Sequence, residues 1–522
     1  MIDKNTYSTR YRTGFVTLEI IIALAIVTCS LSAITLLSFG GQSILTDNHT
    51  TLDALSRAEA MLAQSRARAQ KDFKLLNATS TNDGRYATTL AVSQHDFFSK
   101  EITATVAWDT NTFRPQHTTM KEIVTDFENF GDDDTCDSNL TGDWSHPHVF
   151  NAETDFATLV GNPSHIYSIS DVDAYLNRLY VTVDKTSSAT DPTFFIFDLS
   201  DPTNPHETGS LDNSPTTISG INTVTIASSS TGAFAYATNA VASNFSTCTP
   251  AKNCSQLQVI NISSPTEPAI IFNFEIPTST APFVTGSGGK AVGQSIFYKN
   301  GYVYLGLSKT ATGPEFNIID VHNPLHPHWV GGYVIGYSVN DIVVRNNYAY
   351  LAHTTDSSAG IQEQLTVLDV SDPTHPYRVS GFYDTAGVFN SGKTVAVIGN
   401  TLYLGRLASK TLPGPTDSIP EFYALDISNP QAIPHTATGT TSLATPESLH
   451  DVTVRDWLAF FVTTSQFEIW NITDPAHTLP FAALTIPNGG ATTPSGDCEK
   501  NNFFIGSNDA SGKGFLSVVA SS

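Results

Sequence analysis

Only a few groups of side chains in this sequence could carry chemistry. Asp171, Asp341 and Asp451 each stand just before an aromatic-rich segment and could supply carboxylates for acid–base work or cation binding. Their spacing does not join them into one constellation. A second set, Asp198, Asn261, Asp320, Asp369, Asp426 and Asn471, recurs at intervals of 45–63 residues. A simpler role accounts for all six: an Asp or Asn at a strand end folds onto nearby backbone N–H groups and stops the strand. His322, His326 and His328 crowd together, and His146 and His148 flank Pro147. Neutral imidazoles bind metals, but the first cluster is also one copy of a recurring turn. Asp137, Asn139 and Thr141 occupy the opening positions of a calcium loop, yet His148 stands where a bidentate Glu would set affinity, so calcium is only a weak expectation. Gly286-Ser287-Gly288-Gly289-Lys290 looks like a phosphate loop, but Ala291 replaces the hydroxyl that would hold magnesium. No H-E-x-x-H helix motif and no G-x-S-x-G elbow occurs. The expectation is a protein without catalytic residues or cofactor.

The elements that must position these residues follow from composition and periodicity. The chain has 522 residues, with 26 basic and 49 acidic side chains and a net charge of −23. Charged residues make up 14%, against about 25% in ordinary soluble proteins. Such acidity argues against direct nucleic-acid binding, which needs clustered Lys and Arg. Residues 1–150 hold 12 basic and 18 acidic residues and residues 151–522 hold 14 and 31, so the excess lies mostly in the second part.

Residues 15–39 read FVTLEIIIALAIVTCSLSAITLLSF, with Glu19 as the single charge. That run is long enough to span a bilayer as a helix, with the basic residues 1–14 cytoplasmic and the bulk outside. A carboxylate inside it costs roughly 2.5–3.5 kcal/mol near a span's centre and calls for a partner. Residues 47–76 lack Pro and Gly, and Leu52, Leu55, Ala58, Leu62 and Ala69 form one expected stripe on a helix continuing to about residue 76. Asn82-Asp83-Gly84 marks a turn, and 85–92 and 101–109 alternate as strands. Residues 110–150 lose periodicity; 126–150 read as an acidic linker.

Gly14-Phe15-Val16-Thr17-Leu18-Glu19 before an apolar run resembles the type IV prepilin signature. The resemblance implies a leader at 1–14, cleavage after Gly14, N-methylation of Phe15, and pairing of Glu19 with a neighbouring subunit's terminal amine. The resemblance gives a pilin-like stem over 15–125, with a small α+β head, of the minor pilin or pseudopilin kind. Its implied partners are other pilin subunits, the assembly machinery and a prepilin peptidase. The implied location is the inner membrane before assembly, then the cell surface or pilus.

From about residue 150 the chain repeats. FFIFDLSDPTNP at 194–205, LQVINISSPTEP at 257–268, FNIIDVHNPLHP at 316–327 and LTVLDVSDPTHP at 365–376 share one pattern, as do the segments at 422–434 and 467–480. An aromatic strand precedes each, and a seventh lies at 500–508. A period near 50 falls in the β-propeller range, and seven aromatic strands imply seven blades. The last unit lacks its outer strand, and FATLVG at 156–161 is expected to supply it and close the ring. The fold class is therefore mainly β, a seven-bladed propeller over 151–522. The Asp-Leu/Ile/Val-Ser-Asp/Asn-Pro pattern resembles the LVIVD repeat family of bacterial propeller proteins, a resemblance that speaks to fold alone.

Cys29 lies in the apolar helix and reads as a small core residue. The other four allow three disulfide pairings. Pairing Cys248 with Cys254 closes a local loop, and Cys136 with Cys498 staples the start of the large domain to its end. Sequons such as those at Asn77 and Asn244 mark polar surface. The functional expectation is a non-enzymatic surface protein that displays a propeller for adhesion or for protein or glycan binding at a pilus tip. The alternatives are a pseudopilin of a secretion or DNA-uptake system and, last, an anchored propeller enzyme.

Overall fold

The computed structural model describes residues 13–71, 76–94, 99–109, 115–125, 140–151, 154–188, 190–213, 220–229, 232–240, 255–276, 291–311, 313–355, 363–384, 391–407, 420–443, 447–486 and 495–522. Within the first helix, side chains are described at 21–35 and 49–69. The chain divides into two compact units, 1–126 and 127–522.

Among its described residues the first unit has one helix, α1 (Thr13–Lys71), and a four-stranded antiparallel meander. Its strands are Thr79–Asn82, Tyr86–Gln94, Ser99–Asp109 and Pro115–Thr125. Ala54, Ala58, Leu62 and Ala69 are buried against Leu90, Ile102, Ala104, Val106 and Trp108. Small residues on the helix let its backbone approach the sheet closely. Leu52 and Leu55, expected in this stripe, are instead 66% and 37% exposed. At about 100° per residue, Leu52 points some 120° and Leu55 some 60° away from Ala58, whereas Ala54 and Leu62 nearly overlie it. Leu76, expected at the helix end, lies beyond α1 and is buried on the sheet.

The last strand of the meander falls where periodicity was expected to be lost. Its inner face carries Thr118, Met120, Glu122 and Val124, of which only Val124 is fully buried. Two polar residues on an inward face hide the alternation. Glu122 is held by Arg66 of α1 at 2.8 Å. The turn at 82–84 forms as expected: Asn82 accepts from the Gly84 N–H and Asp83 from the Tyr86 N–H. Gly84 has φ +90°, a conformation that glycine adopts without strain.

Within α1, Ile21, Ile22, Leu24, Ile26, Val27, Leu31 and Ile34 are all exposed, as is Cys29, which is therefore not a core residue of this unit. Among the described residues no helix is long and apolar enough to cross a membrane. The expected span at 15–39 extends past the side chains described there, and those of Phe15 and Glu19 lie outside them.

Among the described residues the second unit contains seven four-stranded antiparallel sheets. Their first strands are Tyr167–Ala174, Ile221–Ser229, Gly293–Lys299, Val339–Arg345, Gly392–Ile398, Leu449–Arg455 and Ser495–Glu499. Each first strand packs against that of the next sheet, and the seventh packs against the first, so they form a closed ring. This multi-sheet, β-rich arrangement is consistent with a β-propeller. The second strands are the aromatic segments. Tight turns lead into several of them, such as Asn300-Gly301, where both residues have positive φ, as a type I′ hairpin requires.

The third strands, for example Phe194–Asp198 and Leu365–Asp369, are buried on both faces, which explains their continuous apolar runs. The first six end in the recurrent Asp or Asn, whereas the seventh, Gly514–Ala520, does not. Asp198, Asn261, Asp320, Asp369, Asp426 and Asn471 each accept the N–H two residues on, from Ser200, Ser263, His322, Ser371, Ser428 and Thr473, at 2.7–3.0 Å. The prolines that follow carry no N–H to extend the ladder.

Ring closure uses a different segment from the one expected. The seventh sheet is completed by His148–Phe150, which pairs with Gly514–Ala520. Phe156–Leu159 is instead a short helix, α2. Asp155 caps it by accepting the Thr158 N–H at 2.7 Å, and Gly161, at φ +71°, follows it. Phe156 then packs edge-on against Tyr167 and Phe195. The stretch ahead of the closing strand is no free linker: Leu140 N–H bonds Asp456, Thr141 and Asn501 bond reciprocally, and so do Asp143 and Ser522. Trp144 is 4% exposed and packs on Phe460.

Candidate functional site

The first strands position the site through a repeated irregularity. In five of them one residue is squeezed out of the ladder: Ser170, Gln294, Asn340, Lys393 and His450. In the second sheet Asn222 and Thr223 together oppose Thr238. Such bulges bend the strand and re-aim side chains. Here they line a polar recess of about 230 Å³, together with Asp171, Asp341, Asp451, Thr394 and Ser495.

The three carboxylates are brought together, but as clamps between sheets. Asp171 accepts from Thr223 Oγ1 and Val224 N–H of the second sheet at 2.6 and 3.0 Å, and from Ser495 Oγ of the seventh at 2.6 Å. Asp341 accepts from Thr394 Oγ1 and Val395 N–H of the fifth sheet at 3.0 and 2.7 Å. Asp451 accepts from Gly496 N–H of the seventh sheet at 2.9 Å. The remaining joints are made by Asn222 to the Gly293 carbonyl, Ser295 to the Val339 carbonyl, Asn340 to the Gly392 carbonyl and a longer Thr394–Asp451 contact of 3.5 Å. Every pair of neighbouring sheets is thus hydrogen-bonded at the ring.

Each acid retains a window onto the recess but lies deep inside the ring. Burial pushes the Asp171 and Asp341 carboxyls above the ordinary range, against the bonds they accept. Asp451 rises to about 7, through burial and then the charges of Asp341 and Asp171. Burial lowers the Lys393 ammonium, opposed by the same three carboxylates. His450 falls to about 3, from burial and then the Lys393 charge, and stays neutral. Its Nε2 lies 3.1 Å from Thr464 Oγ1, while Nδ1 has no partner among the described residues.

Lys393 and His450 were not among the candidates drawn from sequence. The signal existed: a polar residue, then Asp, Ser or Thr, then Val or Ile, as in Ser170-Asp171-Val172, Gln294-Ser295-Ile296, Lys393-Thr394-Val395 and His450-Asp451-Val452. It is short, and its first position varies in chemistry because that residue is the one expelled from the ladder.

The other candidates do not converge on the recess. His322 is exposed and bonds Asp320 at 3.0 Å, with His328 at 3.9 Å. His146 bonds Asp143, and His148 lies in the closing strand. Among the described residues no group of three or more His, Cys, Asp or Glu could hold a metal. Thr141 commits its backbone to Asn501, and Asp137 and Asn139 lie outside the described residues, as do Gly286–Lys290. Cys498 is fully buried and disulfide-bonded, while Cys136, Cys248 and Cys254 lie outside the described residues.

The LVIVD repeat profile matches residues 189–213 and 336–385 of this chain. No curated protein matches it. A crystal structure of a protein from Lactobacillus plantarum resembles it with a TM-score of 0.43 and 10% identity, over 74% of this chain and 93% of the other. The AfRom2 CNH domain resembles it with a TM-score of 0.37 and 9% identity, over 68% of this chain and 94% of the other.

Proposed function

We propose that this protein is a non-enzymatic, surface-displayed binding protein: a type IV pilin-like stem carrying a seven-bladed, LVIVD-type propeller. The observation that carries the reading is the first unit itself. A 59-residue helix packs small residues of its C-terminal half on a four-stranded meander, while its described N-terminal residues 21–35 expose apolar side chains around the helix. An apolar surface of that extent needs another environment to cover it. A bilayer before assembly and neighbouring helices in a filament would both serve, and the leader motif ending in Gly14, with Phe15 and Glu19, supplies the route between them. The transmembrane segment is then 15–39, the peptidase and other pilin subunits are the partners, and the propeller is extracytoplasmic.

The closed ring of first strands supports seven blades, and the bonded carboxylates favour scaffold over catalysis. A disulfide between Cys136 and Cys498 fits the strap at 140–150 that the ring already holds. The size of the second unit favours a tip position, because a head of that bulk is hard to pack at every step along a shaft. The test is assembly of a Glu19→Val variant, followed by immunogold labelling of the propeller. The reading expects wild-type label at filament tips and none there for the variant. Label at tips in both removes the pilin mechanism, and label restricted to the envelope in wild type favours the pseudopilin reading.

A further inference from the structure

The central recess contains opposite charges that are held apart. Lys393 sits on a bulge with its side chain lining the recess, and its ammonium makes neither a hydrogen bond nor an ion pair among the described residues. The nearby carboxylates cannot swing towards it. Asp341 is pinned by Ile342 N–H, Val395 N–H and Thr394 Oγ1, and Asp451 by Val452 N–H and Gly496 N–H. Releasing either would break a joint between sheets.

The geometry points to this recess as a binding site for a small zwitterion of the amino-acid type, its carboxylate on Lys393 of the fifth sheet and its ammonium towards Asp171 of the first sheet, across the ring. A simple anion would meet three carboxylates, and a simple cation would meet Lys393. A solute with both charges a few bonds apart satisfies both walls. The volume of about 230 Å³ suits such a solute and is smaller than the roughly 300–1,000 Å³ of drug-sized pockets. Gln294, exposed in the recess, remains able to donate or accept. The inference rests on the reading of the propeller as the binding domain and is independent of the stem.

The experiment is isothermal titration of the full-length protein with each of the twenty standard amino acids. At least one is expected to bind saturably, one per chain, and its decarboxylated amine and its deaminated acid should each bind at least tenfold more weakly. Lys393→Met should lose at least tenfold, and Gln294→Leu, away from the clamps, several-fold while the protein stays folded. Absence of saturable binding by all twenty overturns the inference. So does equal binding by the bare amine, or unchanged binding by both variants. Surface labelling of Lys393→Met tests the display reading separately, because that variant leaves the stem intact.

Discussion

Closure of the ring by a strand from the N-terminal side makes the second unit dependent on a short strap, and Trp144 is where that strap is most deeply buried. Trp144→Ala removes a side chain 4% exposed, packed edge-on against Phe460 at 5.1 Å and clustered with Phe467, Ile469, Phe503 and Val519. Its indole N–H has no partner among the described residues, so the loss is one of packing. Trp-to-Ala changes in cores cost about 3–5 kcal/mol. Because the strap leads directly into His148–Phe150, that cost falls on opening of the closing strand. At 1.36 kcal/mol per tenfold, it corresponds to a loss of roughly 10²–10³ or more in protection. Hydrogen–deuterium exchange of full-length protein reads it directly at Val518, Val519 and Ala520, which face Phe150, Val149 and His148. Trp144→Phe, which keeps an aromatic ring and removes the unpartnered N–H, should cost less than Trp144→Ala. Unchanged exchange at 518–520 in Trp144→Ala would show that the strap does not hold the ring, and the closure argument would fail.

Other consequences follow from the ring and the turns. Asp451 has a folded pKa of about 7 against an ordinary 3.8, so between those values the folded state binds a proton that the unfolded state does not. Asp451 should therefore withdraw stability as pH rises from about 4 to 7, by at most about 4 kcal/mol, and denaturation midpoints of Asp451→Asn should lose that part of the pH dependence. Gly331 faces the Pro373 carbonyl of the next sheet's turn, where an added Cβ would sit 2.2 Å from the oxygen. Gly331→Ala should cost about 1–3 kcal/mol by urea unfolding, whereas a clash-free result would mean that the sheets can separate there. Asp426→Ala removes the bond to Ser428 N–H and should cost about 1 kcal/mol in the same assay. A fragment of residues 127–522 should fold, and one of 151–522, lacking strap and closing strand, should be markedly less stable to proteolysis.

The repeats were legible because six of the seven sheets restate the same constraints: a third strand buried on both faces, an Asp or Asn that bonds two residues on, and prolines that stop pairing. What escaped were elements whose role depends on a distant neighbour. His148–Phe150 is three residues long and becomes a strand only because Gly514–Ala520 offers it an edge. FATLVG has strand-like residues, but Asp155 supplies a cap that favours α2. Pro115–Thr125 hid its alternation because Glu122 points inward to meet Arg66. At the recess, Asp171, Asp341 and Asp451 were recognisable as acids near strand starts. Lys393 and His450 were not, since a bulge is a register event between two strands and leaves only a short, variable trace in either.

The central claim, a stem processed and displayed as a pilin, is tested most directly by the N-terminus of the protein recovered from cells. Mass spectrometry of the mature chain should find N-methylated Phe15 as its first residue, with residues 1–14 absent. A chain that retains residues 1–14, or one cut elsewhere without methylation, would contradict the account.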